Sequence, residues 1–89
     1  MTVEFDRSFE RSLDKISDQK LSDKIIQLIK KCDVARSISE LQGVKKLSGY
    51  SNYYRIRIGD YRIGLQLISH DTVRFILVGH RKEIYRKFP

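Results

Sequence analysis

Apolar residues recur along this chain with two different periods, and the change of period divides it. In "TVEF", Val3 and Phe5 alternate with polar neighbours as in a short strand, and Asp6 follows as a helix N-cap. A first helix is therefore predicted from about Arg7. Phe9, Leu13 and Ile16 recur at helical spacing, Ser17 and Asp18 interrupt, and Leu21, Ile25, Leu28, Ile29 and Cys32 form a second stripe. This predicts two amphipathic helices joined by a short turn. Between Asp33 and Ser51 no period holds; Leu41, Val44 and Leu47 are expected anchors beneath a loop bent by Gly43 and Gly49. From Asn52 the period becomes two. "YYRIRI" and "YRIGLQLI" flank Gly59-Asp60, a two-residue hairpin turn, and "TVRFILVG" follows the short Ser69-His70-Asp71 connection. The ending "RKEIYRKFP" is short and polar, fit for a terminal helical turn. The predicted fold is α+β, in the order β-α-α-β-β-β, with a helical hairpin on one face of a small, mainly antiparallel four-stranded sheet.

Alternation also sorts side chains by face. If Tyr54, Ile56, Ile58, Ile63, Leu65 and Leu67 point toward the helices, Tyr53, Arg55, Arg57, Arg62, Gly64 and Gln66 share the other face. Gly64 would leave a shallow place there. In the last strand an unbroken period groups Arg74, Ile76, Val78 and His80 against Phe75 and Leu77. The expectation is a basic cleft opposite the helices, lined by Arg55, Arg57, Arg62, His80 and Arg81.

Charge gives that cleft its meaning. The net +7 is unevenly divided: residues 1–44 hold eight Lys/Arg and eight Asp/Glu, whereas residues 45–89 hold ten Lys/Arg against Asp60, Asp71 and Glu83. A polyanion is the partner that such a half-molecule suits, because each neutralised phosphate releases a counterion. The plainer alternative is a basic face that serves solubility or meets an acidic protein.

At 89 residues the chain is read as one domain, residues 1–89, whose function lies on a surface or shallow cleft. No apolar run reaches the ~20 residues that a membrane helix needs. No export signal is visible at the start, so a cytoplasmic location is expected. Cys32 is the single cysteine; it can form neither an internal disulfide nor a multi-cysteine metal site, and is expected to fill the core.

The whole chain resembles the RelE/ParE superfamily of bacterial toxins, and within it the RelE-like endoribonucleases. The resemblance rests on the loop "LQGVKKLSG", the strand pair "YYRIRIGDYRIGLQ" and the ending "FILVGHRKEIYRKF", behind a first strand and helical hairpin. It implies a type II toxin without metal or organic cofactor that enters the ribosomal A site, cuts mRNA there and is blocked by a cognate antitoxin. It also implies a site. The family's basic pair on the first active strand is matched by Arg55 and Arg57, its "GYR"-like motif by "DYR" with Arg62, its final basic pair by His80 and Arg81, and its C-terminal tyrosine by Tyr85. The best-known members have lysine at the first two of these positions and often at the position of His80.

The implied chemistry is attack of the 2′-hydroxyl on the adjacent phosphate, giving a 2′,3′-cyclic phosphate and a 5′-hydroxyl. That needs a proton acceptor, a proton donor and cations around the developing charge. Arginine clamps phosphate well but accepts protons poorly, so Arg57 and Arg62 are assigned to binding and stabilisation, with Arg55 on a neighbouring phosphate. Arg81 would stabilise the phosphorane or assist the leaving group. His80 is assigned as general base or general acid, since histidine titrates near neutrality. Tyr85 would stack on an mRNA base. Lys45, Lys46, Arg74 and Lys82 are candidate RNA contacts. Two rivals stand beside this reading: a ParE-like inhibitor of DNA gyrase, and a basic RNA-binding module without catalysis.

Overall fold

The computed structural model describes all residues 1–89. Its elements are strand β1 (Thr2–Phe5), helices α1 (Arg7–Asp14) and α2 (Gln19–Val34), and strands β2 (Val44–Lys46), β3 (Tyr53–Ile58), β4 (Tyr61–Ser69) and β5 (Thr72–His80). Short 3-10 turns occupy Ile38–Glu40 and Ile84–Arg86. Helix α1 starts where its cap predicts, the Asp6 carboxylate accepting the Ser8 N–H; α2 starts at the Ser17-Asp18 interruption, where the Asp18 carboxylate accepts the N–H groups of Lys20 and Leu21. Their apolar stripes meet one face of the sheet. Phe9 of α1 and Leu21, Ile25, Leu28 and Cys32 of α2 pack with Ile56, Ile63, Leu65, Val73, Phe75 and Val78. Cys32 is fully buried there, and burial pushes its thiol pKa up to about 11.

The sheet has five strands rather than four, ordered β1-β5-β4-β3-β2. Only the β1–β5 pair is parallel. The extra strand is β2, which pairs antiparallel with β3. It lies in the segment expected to be a loop, and at three residues it is too short to display a period. Gly43, at φ 75°, turns the chain into it. Of the expected anchors, Leu41 is buried and Val44 and Leu47 are half-buried, while Ile38 supplies a further buried anchor.

The β3–β4 hairpin closes through two residues, Gly59 and Asp60, with Ile58 opposite Tyr61. Gly59 has φ 56° and no non-glycine residue has positive φ, so only the first turn position is left-handed, as in a type II′ turn.

The last strand departs from the alternation expected of it. Gly64 lies opposite Leu77 but Leu65 lies opposite Phe75, so Ile76 is an extra, bulged residue in β5. The bulge sits just past the point where β1 ends and α1 takes its place beside β5. There, the Ser8 hydroxyl reaches the Ile76 carbonyl, and the Ser12 hydroxyl accepts the Val78 N–H at 3.1 Å. Two helical serines thus satisfy a strand edge that β1 leaves open. Beyond the bulge the faces exchange. Val78 pairs with Ile63 and His80 with Tyr61 on the helix side, while Leu77 and Gly79 join Gly64 and Arg62 on the outer face.

Candidate functional site

Cross-strand register builds the outer face in rows. Lys45 of β2, Arg55 of β3, Gly64 of β4 and Leu77 of β5 lie in one row; Arg57, Arg62 and Gly79 make the next. Four cations from three strands therefore share this face, and Arg57 stands exposed on it. Lys45 and Lys46 part company: Lys46 lies opposite Tyr54, on the side of the helices.

The β3–β4 turn organises the arginines at the tip of the face. Arg62 Nη1 donates to the carbonyl oxygens of Gly59 and Tyr61, each at 2.9 Å. This ties the Arg62 guanidinium to the turn, while Arg57 stands opposite it in the register. Arg81 arrives from the other side: its backbone N–H donates to the Asp60 carbonyl at 2.8 Å, and its Nε lies 3.9 Å from Asp60 Oδ1. A single two-residue turn thus contacts both Arg62 and Arg81 without neutralising either in a tight ion pair.

His80 does not join them, which corrects the expected cleft. The Ile76 bulge places it on the helix side, where its ring meets Tyr61 edge-on at 5.5 Å between centroids. It lines a groove of about 330 Å³ beside α1, in company with Arg11, Lys15, Glu83 and Lys87. His80 Nδ1 accepts the Lys82 N–H at 3.2 Å. Arg74 is also set apart: its Nε and Nη2 both donate to Glu4 Oε1, at 3.1 and 2.9 Å, across the β1–β5 pair. Lys82 is exposed on the turn after β5.

The hollow expected at Gly64 is filled. The ring of Phe88 lies so close that a Cβ on Gly64 would come within 2.6 Å of it. Phe88 is 3% exposed and Ile84, packed against Gly79, is 1% exposed. Both lie apart from the main core, on the opposite side of the sheet. Tyr53 meets Phe88 edge-on at 5.6 Å and Tyr50 meets Tyr53 at 5.8 Å, an aromatic run alongside the basic rows. Tyr85, carried between Ile84 and Phe88, is 51% exposed. Ile84 and Phe88 are not among the expected site residues; their signal is a four-residue apolar spacing within a charged tail.

No group of three His, Cys, Asp or Glu side chains lies close enough together to hold a metal ion. No helix is long and apolar enough to cross a membrane.

Comparison with known proteins agrees with this architecture. A family model described as the ParE toxin of the type II toxin-antitoxin system, parDE, matches residues 3–85. Toxin RelE3 of Methanocaldococcus jannaschii is 40% identical over 90 residues, spanning 100% of both chains. Among solved structures, a chain of the RelB-RelE antitoxin-toxin complex from Methanococcus jannaschii superposes with a TM-score of 0.81 at 37% identity, covering 97% of this chain and 99% of that one. A chain of the RelBE2 complex from Mycobacterium tuberculosis gives 0.70 at 26% identity, with 90% and 96% covered. With sheet order, helical hairpin and basic outer face all in place along a chain matched end to end, this protein belongs to the RelE/ParE superfamily and is a RelE-like toxin of the type II toxin-antitoxin class.

Proposed function

We propose that this toxin is a ribosome-dependent endoribonuclease that cuts mRNA in the A site by attack of a 2′-hydroxyl on its own 3′-phosphate. The observation that carries the reading is the pair of basic rows, Lys45–Arg55 and Arg57–Arg62, on a sheet face that the helices leave free, with Arg81 held at its tip. An extended RNA backbone laid across those rows meets a cation at successive phosphates. The likeness to a toxin named RelE3 supports the nuclease branch.

In this scheme Arg55 and Lys45 hold flanking phosphates, and Arg57 and Arg62 clamp the scissile one. The 2′-oxygen–phosphorus bond forms as the bond to the 5′-oxygen breaks. Arg81 stabilises the charge that grows on the phosphorane and the leaving oxygen. Arginine is a poor proton acceptor, and His80 faces the other way with Nδ1 engaged. The 2′-hydroxyl proton therefore passes to water, the leaving oxygen takes one from water, and the protein contributes alignment and electrostatic stabilisation. Tyr85 stacks on a base of the A-site codon. Lys46 and Lys82 contact RNA outside the site; Arg74 contributes least, because Glu4 already holds it.

The partners proposed are the ribosome with its mRNA, in the cytoplasm, and a cognate antitoxin. The solved relatives include antitoxin-toxin complexes, which supports the latter. Primer extension on an mRNA translated in the presence of the toxin tests the activity. In-frame cuts that disappear with Arg62→Ala and Arg81→Ala are expected. A second reading, a ParE-like gyrase inhibitor, is favoured by the match to the ParE toxin family model. Uncut mRNA together with inhibited DNA supercoiling would replace the first reading with the second.

A further inference from the structure

We propose that Phe88 is a positioning residue: seated in the hollow over Gly64, it holds the C-terminal segment on the outer face and thereby sets where Tyr85 stands. Two glycines make the seat. Gly64 and Gly79 lie on adjacent strands of the outer face, one in each row, and receive Phe88 and Ile84 respectively. A four-residue spacing places Ile84 and Phe88 on one side of the turn. Phe88 N–H donates to the Ile84 carbonyl at 2.9 Å, which keeps the two anchors in step. Tyr85, the residue after the first anchor, is left half-exposed.

The fit at Gly64 is specific in size. The Phe88 ring occupies the volume that any Cβ at position 64 would need, so this strand position and the C-terminal ring exclude each other's enlargement. The anchors do not belong to the main core, whose buried side chains lie across the sheet. Releasing Phe88 thus frees the tail while the helix–sheet core persists. The consequence for catalysis rests on the endoribonuclease reading, in which Tyr85 orients an mRNA base; the anchoring itself does not.

Two measurements keep these levels separate. In two-dimensional NMR of the isolated toxin, Phe88→Ala and Gly64→Ala are each expected to move the Tyr85 resonances toward random-coil values while those of Ile56 and Ile63 stay native. Combining Gly64→Ala with the smaller Phe88→Leu is expected to restore Tyr85. Native Tyr85 resonances in Phe88→Ala would overturn the inference, whether or not the toxin cleaves RNA. In the ribosomal cleavage assay, Phe88→Ala is expected to lower the rate as much as Tyr85→Ala does, with no further loss in the double variant. Losses that multiply in the double variant would overturn positioning through Tyr85. Absence of cleavage by the unaltered protein would instead remove the nuclease reading and leave the NMR result to decide the anchor.

Discussion

Arg57 and Arg62 stand directly opposite each other in the antiparallel β3–β4 register, two like charges on one face of a two-residue hairpin. Such a pair opposes folding by a few tenths of a kcal/mol to about 1 kcal/mol. The structure eases it by tying Arg62 to the carbonyls of Gly59 and Tyr61, which leaves Arg57 without a compensating partner of its own. A face organised for folding alone would not retain this arrangement. A face that holds phosphate gains from both charges.

Arg57→Gln is therefore expected to raise the stability of the free toxin by about 0.5 kcal/mol in low salt, an advantage that shrinks toward 1 M salt as screening removes the repulsion. RNA binding should change the other way. Loss of one phosphate contact lowers the slope of log affinity against log salt by about 0.7 for a single strand. Urea unfolding and RNA titration across a salt series check the two halves. A variant that is less stable and equally tight would contradict the argument.

His80 is expected to be dispensable for the chemistry. General acid–base catalysis contributes roughly 10²–10⁴-fold, so a catalytic imidazole would show at least the lower figure on removal. With the ring against Tyr61 and Nδ1 accepting the Lys82 N–H, His80→Ala should lose only the packing and the turn contact. Its cleavage rate should stay within a few-fold of the unaltered protein. A loss of about 10²-fold in primer extension would place the imidazole at the RNA after all.

The helical hairpin and the inner and outer faces of β3 and β4 were legible because caps, stripes and a two-residue turn are local features. Strand β5 was not. Its alternation breaks at Ile76, and the groups that meet that break, Ser8 and Ser12, come from a helix at the other end of the chain. One bulged residue was enough to move His80 off the arginine face. The hollow at Gly64 could be foreseen from its missing side chain, but its occupant could not, because nothing near position 64 specifies Phe88. Strand β2 escaped notice for a simpler reason, since three residues carry no period.

The serine contacts on β5 predict a stability cost. Ser12→Ala keeps the helix but removes the acceptor of the Val78 N–H, in a part-buried setting. A buried donor left unsatisfied costs about 1–3 kcal/mol. Thermal unfolding of Ser12→Ala should reveal a loss of that order, and Ser12→Thr should recover most of it by returning the hydroxyl. Equal stability of Ser12→Ala and the unaltered chain would mean that water replaces the serine without cost.

Acid sensitivity follows from three carboxylates, all held below their ordinary pKa. Asp6 accepts the Ser8 hydroxyl and the Ser8 N–H; Glu40 accepts the N–H groups of Arg36 and Ser37; Asp71 accepts the hydroxyls of Ser69 and Thr72. Each binds a proton more readily in the unfolded chain, where the ordinary values are 3.8 for the two aspartates and 4.5 for Glu40. Their contribution is therefore complete above those values and is lost as pH falls through the lower, folded ones. The urea midpoint should stay level from neutral pH down to about 5 and decline below about 4.5. Asp6→Asn separates titration from capping, because asparagine caps a helix about as well as aspartate. That variant should match the unaltered protein near neutrality and show a shallower acid decline. An unchanged decline would show that the cap at Asp6 does not contribute to it.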